Sequence, residues 1–156
     1  MSRSRPPALA FFGGLLAFLA TLSLSARAEF TNIDNDELAR LMAAGVPVID
    51  IRTEPEWKET GIVKGSRLMT FFDERGRADA PAFVEKLKAI AKPDEPVILI
   101  CRSGNRTTTI AKFLGEQVGY KKVYNVRQGI KGWLREQRPV EPAAPTLAGC
   151  PAGGKC

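Results

Sequence analysis

The sequence predicts an α/β fold in which a central parallel sheet carries helices on both faces. Three observations lead there. From Glu29 onward, short β-branched runs alternate with segments whose apolar residues recur at helical spacing. One of those runs, Val97-Ile98-Leu99-Ile100, is apolar at every position, the mark of a strand covered on both sides. The chain that follows the first 28 residues is 128 residues long, enough for one core and not two.

The elements follow in order. Asp34 with Glu37 three positions on makes a capping-box-like start; Leu38, Leu41 and Met42 form an apolar stripe, and Gly45 ends that helix. Val46 to Ile51 reads as a short buried strand. Pro55 to Glu59 suits a short helix, and after the Gly61 break a second strand is expected within Ile62 to Thr70. Asp79 and Pro81 open a helix with Phe83, Leu87 and Ile90 on one face. Pro93 and Pro96 bracket a turn before Val97 to Ile100, the expected central strand. Thr107 to Val118 is helical again, through Ile110, Ala111, Leu114 and Val118. Lys122 to Val126 is the last strand, followed by Gly129 and a short segment around Trp133. Beyond Pro139 the composition turns to Pro, Ala and Gly without periodicity, so residues 141–156 read as a flexible tail.

Residues 1–28 read as a signal peptide. Arg3 and Arg5 give a positive start, an uncharged stretch runs from Pro6 to Ala26, and Ala26-Arg27-Ala28 places small residues where a signal peptidase reads. Cleavage before Glu29 is expected. The competing reading is an uncleaved anchor, which Gly13-Gly14, two prolines and a Thr/Ser-rich end weaken. Export puts the domain in an oxidising compartment, the periplasm if the source is Gram-negative.

Removing those residues also corrects the charge. The whole chain has 23 basic and 17 acidic residues, but three of the arginines precede Glu29, leaving 20 basic residues and a net of +3. Nucleic acid is therefore not an expected partner. The absence of histidine is sharper. It excludes Ser-His-Asp and Cys-His hydrolysis, His-ligated zinc and a histidine pH switch. Any nucleophile must be activated without imidazole, and no metal or cofactor is expected.

The candidate is Cys101. It follows the predicted buried strand, and Arg102, Ser103, Gly104, Asn105 and Arg106 separate it from a helix beginning at Thr107. The carboxyl edge of an open parallel sheet is where ligands bind. Gly104 lets the loop curl, so that the N–H groups of residues 102–106 point at the sulfur with a helix N-terminus behind them. Arg106 adds positive charge, and a thiol so placed is held in its reactive thiolate form. The alternative, a small apolar residue closing a strand, does not account for the glycine and two arginines around it. Arg102 either orients an anionic substrate or is a solvated rim charge.

Cys101-Arg102-Ser103-Gly104-Asn105-Arg106-Thr107 resembles the active-site loop of the rhodanese family, Cys-x-x-Gly-x-Arg-Ser/Thr. Two further segments agree: Val48 to Trp57 with Gly61 and Gly65 downstream, and Asn125 to Trp133 followed by Pro139-Val140. The resemblance spans about residues 31–140. It implies a rhodanese-like domain over 29–140, similar in layout to the exported phage-shock protein E type. It also implies sulfurtransfer through a persulfide on Cys101, from a small anionic donor such as thiosulfate to cyanide or a thiol. Ile62 stands where the family commonly has histidine. Asp50 and Arg52 are expected to form an ion pair or backbone clamp, and Trp57 and Trp133 to pack in the core.

Two other classes stay open. A Cys-based phosphatase or arsenate reductase uses Cys-x5-Arg, one residue more than the Cys-x4-Arg from Cys101 to Arg106. A persulfide carrier or binding module would hand sulfur to a protein partner. Cys150 and Cys156, in Gly149-Cys150-Pro151-Ala152-Gly153-Gly154-Lys155-Cys156, admit three readings: an inert disulfide, a resolving or sulfur-accepting pair, or an incomplete soft-metal site.

Overall fold

The apolar run Val97 to Ile100 becomes the strand on which the fold is built. The structure, a computed structural model, describes residues 30–148. Its strands are β1 (Thr31–Ile33), β2 (Val48–Asp50), β3 (Arg67–Leu68), β4 (Val97–Ile100) and β5 (Val123–Val126). Its helices are α1 (Asn35–Ala43), α2 (Glu54–Thr60), α3 (Ala80–Ile90), α4 (Asn105–Phe113), α5 (Gly129–Arg135) and α6 (Ala144–Leu147). The sheet order is β1-β5-β4-β2-β3, and every pairing is parallel. β4 lies at the centre with all four residues buried.

Strand alternation divides the core in two. Leu99 and Cys101 face Phe83 and Leu87 of α3 and Ile110 and Ala111 of α4. Ile98 and Ile100 face Leu38 and Leu41 of α1 and Ile130 and Trp133 of α5. The expected helices therefore cover both faces. The chain leaves β2 for β3 on one side and β4 for β5 on the other. The carboxyl ends of β2 and β4 consequently flank a switch-point crevice. Arg52 follows one of these strands and Cys101 the other.

Arg52 is fully buried, and all five guanidinium N–H positions are used. Nε and Nη2 donate to the Asp50 carboxylate at 2.9 and 2.7 Å. Nη1 donates to Thr60 Oγ1 at 2.6 Å and the Glu56 carbonyl at 3.2 Å, and Nη2 also reaches the Gly61 carbonyl at 2.9 Å. The guanidinium thus ties the end of β2 to the carbonyl end of α2, where cations are favoured. This is both the ion pair and the backbone clamp expected for Asp50 and Arg52.

Several elements differ from expectation. β1 is an added edge strand with little apolar signal, two of its three residues being exposed. The strand expected within Ile62–Thr70 occupies only Arg67–Leu68, because Gly65, at φ +78°, turns the chain. The helix expected from Thr107 starts at Asn105, with Gly104 as its N-cap, and continues as a π-helical turn, Leu114–Val118, closed by Gly119 at φ +87°. The flexible tail expected from Glu141 begins instead as a docked segment. Ile62 and Glu141 exchange backbone hydrogen bonds at 3.0 and 2.9 Å, and Glu141 Oε1 accepts from the Gly65 N–H at 3.2 Å. Ala143, 3% exposed, packs with Trp57, Ile62 and Leu68. The backbone of Ile62 and the indole of Trp57 give this segment pairing groups and an apolar seat that its composition does not announce. The proposed signal peptide and both tail cysteines lie outside the described residues. Among the described residues no helix is long and apolar enough to cross a membrane.

Replacing Arg52 by Ala leaves the Asp50 carboxylate buried without its partner. The expected cost is about 3–5 kcal/mol, read as a fall in the urea unfolding midpoint at unchanged slope.

Candidate active site

Cys101 is the first residue beyond β4, and its side chain lies on the α4 side of the sheet with no solvent exposure. The Gly104 N–H donates to its sulfur at 3.1 Å, and Thr107 Oγ1 lies 3.4 Å away. Two glycines make that geometry. Gly104 takes φ +89°, and a Cβ there would stand 2.1 Å from the Arg127 carbonyl oxygen. Gly129 takes φ +57°, and a Cβ there would meet the Cys101 carbonyl oxygen at 2.5 Å. The Cys101 loop therefore rests on the β5–α5 turn backbone against backbone. Ile130 and Lys131 N–H groups close the contact by donating to the Cys101 and Arg102 carbonyls at 2.8 and 3.1 Å.

The cradle expected from residues 102–106 is narrower than foreseen: among those amides, Gly104 is the one hydrogen-bonded to the sulfur. The N–H groups of Asn105, Arg106 and Thr107 belong to the first turn of α4, where a helix has no carbonyl of its own to offer them. They, and the helix dipole, favour negative charge beyond the sulfur.

Thr107 is buried and serves the sulfur through its hydroxyl. Oγ1 also approaches the Gly104 carbonyl at 3.0 Å and Asn125 Oδ1 at 2.5 Å. Asn125 in turn donates to Asn32 Oδ1 at 2.7 Å and to Thr108 Oγ1 at 3.1 Å. One hydroxyl proton cannot serve the carbonyl, the amide oxygen and the sulfur at once. Donating to Asn125 leaves Thr107 a lone pair for the Cys101 S–H; turning the proton to the sulfur stabilises the anion instead.

Arg106 is held by Glu56 of α2 in a two-pronged ion pair, at 2.6 and 2.9 Å. Its pKa is pushed upward, foremost by the hydrogen bonds it donates to Glu56; burial opposes this, while the charges of Glu56 and Cys101 add to it. Burial also works to raise the Glu56 carboxyl, but hydrogen bonds from Arg106 and the Thr53 N–H outweigh it and hold the group below its ordinary range. The same carboxylate thus caps α2 and anchors the Cys101 loop. The positive charge expected from Arg106 is consequently offset by a neighbour that local sequence reading missed. Thr53-x-x-Glu56 does have the capping-box spacing, which signals the first role of Glu56 but not the second.

The remaining predicted residues occupy two environments. Gly104 and Thr107 are buried beneath the loop, whereas Arg102, Ser103 and Asn105 are exposed at its rim. The structure thus brings Cys101, Gly104, Arg106 and Thr107 together, and adds Glu56 and Asn125. Among the described residues no group of His, Cys, Asp and Glu side chains is arranged to hold a metal. A cavity of about 990 Å³ runs beside α2 and takes in Thr53, Lys58, Thr70, Phe71 and Arg75.

Known proteins place this geometry in a family. The rhodanese-like domain family matches residues 34–136, and the chain belongs to it. Thiosulfate sulfurtransferase 18 of Arabidopsis thaliana is 26% identical over 125 residues, covering 77% of this chain and 90% of that protein. Thiosulfate sulfurtransferase GlpE of Glaesserella parasuis is 44% identical over 48 residues, 31% of this chain and 44% of that one. Among solved structures, a rhodanese-related protein from Thermoplasma volcanium superposes with a TM-score of 0.55 at 28% identity, covering 71% of this chain and 97% of that chain. A polysulfide-sulfur transferase from Wolinella succinogenes, at 22% identity and a TM-score of 0.56 over 74% of this chain and 80% of that chain, shares the fold.

Because the Glu56 pKa is lowered in the folded state, its contribution to stability is present above the ordinary carboxylate value of about 4.3 and is lost as pH falls through the lowered one. The melting temperature of Glu56→Gln is therefore expected to lie furthest below that of the native protein near pH 7. The gap should close in acid. A gap that widens on acidification contradicts the assignment.

Proposed function

We propose that the protein is an exported sulfurtransferase that moves a sulfane sulfur from a thiosulfate-like donor to cyanide or a thiol through a persulfide on Cys101. The observation that carries the reading is the Cys101 sulfur, buried at the end of β4 and receiving the Gly104 N–H at the mouth of α4. Family membership and relatives named thiosulfate sulfurtransferase support the reaction class. Export rests on the composition of residues 1–28.

In the first step the Cys101 thiolate attacks the outer sulfur of thiosulfate. The S–S bond of the donor breaks, and sulfite leaves with the electron pair. Cys101 then carries an outer sulfur about 2 Å beyond Sγ, nearer the first-turn amides of α4, which act as preorganised donors to its charge. Arg102 at the rim draws in the anionic donor. In the second step the acceptor attacks that outer sulfur and Cys101 leaves as thiolate, so cyanide departs as thiocyanate and a thiol as its persulfide. With thiosulfate and cyanide, sulfite and the Cys101 thiolate leave as anions, so no histidine is needed to protonate a leaving group.

The geometry favours this over phosphoryl transfer. Arg106 is turned toward Glu56 through one N–H of each terminal nitrogen, whereas a phosphatase loop aims its arginine at the phosphate oxygens. Initial rates with thiosulfate and cyanide are expected to give parallel double-reciprocal lines. Cys101→Ser should lose about a thousandfold or more of turnover, and an aryl phosphate should not be turned over. A Cys101→Ser protein that keeps its rate removes the proposal.

A further inference from the structure

Resting on that reading, we infer that the exposed face made by the Cys101 loop and the β5–α5 turn docks an acidic protein acceptor. Its thiol stands among aspartates and glutamates, which Arg102, Arg127 and Lys131 meet. The inference starts from how charge is distributed along the chain. Residues 29–95 carry 14 acidic and 10 basic residues, whereas residues 96–135 carry eight basic residues and a single acidic one, Glu116. The second stretch supplies β4, the Cys101 loop, α4, β5 and α5. The modest net charge of the domain therefore hides a cationic half, and that half holds the nucleophile.

Three of the eight cations collect beside the sulfur, at the carboxyl edge of the sheet. Arg102 adjoins Cys101, Arg127 follows β5, and Lys131 lies in the first turn of α5. The contact that builds the site also sets them side by side. The Lys131 N–H donates to the Arg102 carbonyl at 3.1 Å, and a Cβ on Gly104 would stand 2.1 Å from the Arg127 carbonyl oxygen. All three are exposed, and their side chains make no hydrogen bond or ion pair with another described residue. By contrast Arg40, Arg52, Lys58, Arg77, Arg106 and Arg138 each hold a carboxylate. Lys121 and Lys122 precede β5 and so belong to the opposite edge of the sheet.

A lone exposed cation does little for a small anion, because water and salt screen it over about 8–10 Å. Three unpaired cations on one face act together on a partner large enough to cover them all, speeding encounter and fixing its orientation. The cavity beside α2 takes in none of the three. They crown the rim of the loop, where a protein surface can lie. The transfer itself balances without another group. The acceptor thiolate attacks the outer sulfur of Cys101-S-S⁻, the bond to Cys101 Sγ breaks, and Cys101 regains its thiolate with the electron pair. The acceptor leaves as a persulfide anion, and no proton moves. Such a step brings anionic sulfur to anionic sulfur, a repulsion that the three cations offset.

The test uses the full-length chain, loaded with thiosulfate and freed of excess donor. It is discharged by either of two peptides, one with a single cysteine flanked by two aspartates and two glutamates, the other with asparagines and glutamines in their place. Intact mass follows the loss of the outer sulfur, and rates are compared per thiolate. At low salt the acidic peptide should discharge the protein at least about tenfold faster than the neutral one, and 0.5 M salt, flagged here as roughly the level that shortens screening to a few ångströms, should abolish the advantage. Arg127→Gln combined with Lys131→Gln should abolish it too, while loading by thiosulfate and discharge by the neutral peptide keep their native rates. An acidic peptide that is no faster than the neutral one, or that keeps its advantage on the double variant, overturns the inference and leaves the sulfurtransferase reading intact. So does a double variant that loses its rate of loading to the same extent, because the cations then serve the small donor. A native protein that does not load at all overturns both.

Discussion

The site depends on a backbone-on-backbone contact between the Cys101 loop and the β5–α5 turn. Gly104 lies against the Arg127 carbonyl and Gly129 against the Cys101 carbonyl, at separations that leave no room for a Cβ on either side. This contact aims the Gly104 N–H at the sulfur and sets the first turn of α4 behind it. It also explains why two sequence segments more than twenty residues apart carry glycines in matching places: each supplies the clearance for the other. A site that lacks histidine leaves its anion to fixed dipoles, and fixed dipoles act only where the backbone cannot drift.

Two clamps extend that rigidity across the switch point. Arg52 fastens the end of β2 to the carbonyl end of α2 through a guanidinium with every donor used. Glu56, one turn before that end, fastens α2 to Arg106. Removing charge from either pair would leave a partner with little solvent to replace it, so both hold the loop from the side the glycines do not reach. The two differ in kind. The first is fully buried and structural, whereas the second is partly exposed and lies within the electrostatic field of the sulfur.

The sheet, its centre and the place of Cys101 at its carboxyl edge were legible because they depend on local pattern. Val97 to Ile100 is apolar without interruption, and Cys101 follows it directly. Glu56 was legible only as a helix cap, since its partner lies fifty residues away and no local spacing records that. β1 escaped notice because Thr31 and Asn32 are polar and exposed at the sheet edge. The strand within Ile62–Thr70 could be located but not bounded, because apolar character alone does not reveal that Ile62 pairs with Glu141. The docking of residues 141–148 was hidden for the same reason: its described contacts include backbone bonds between Ile62 and Glu141, the Gly65 N–H on the Glu141 carboxylate and the buried methyl group of Ala143.

The central claim is that the sulfur at the end of β4 is the atom that carries the transferred group. Intact mass spectrometry of the protein after thiosulfate treatment, under nonreducing conditions and followed by peptide mapping, addresses it directly. The account predicts a gain of one sulfur atom on the peptide containing Cys101, removed by cyanide as thiocyanate and absent from Cys101→Ser. A Cys101→Ser protein that still acquires the sulfur and yields thiocyanate would contradict it.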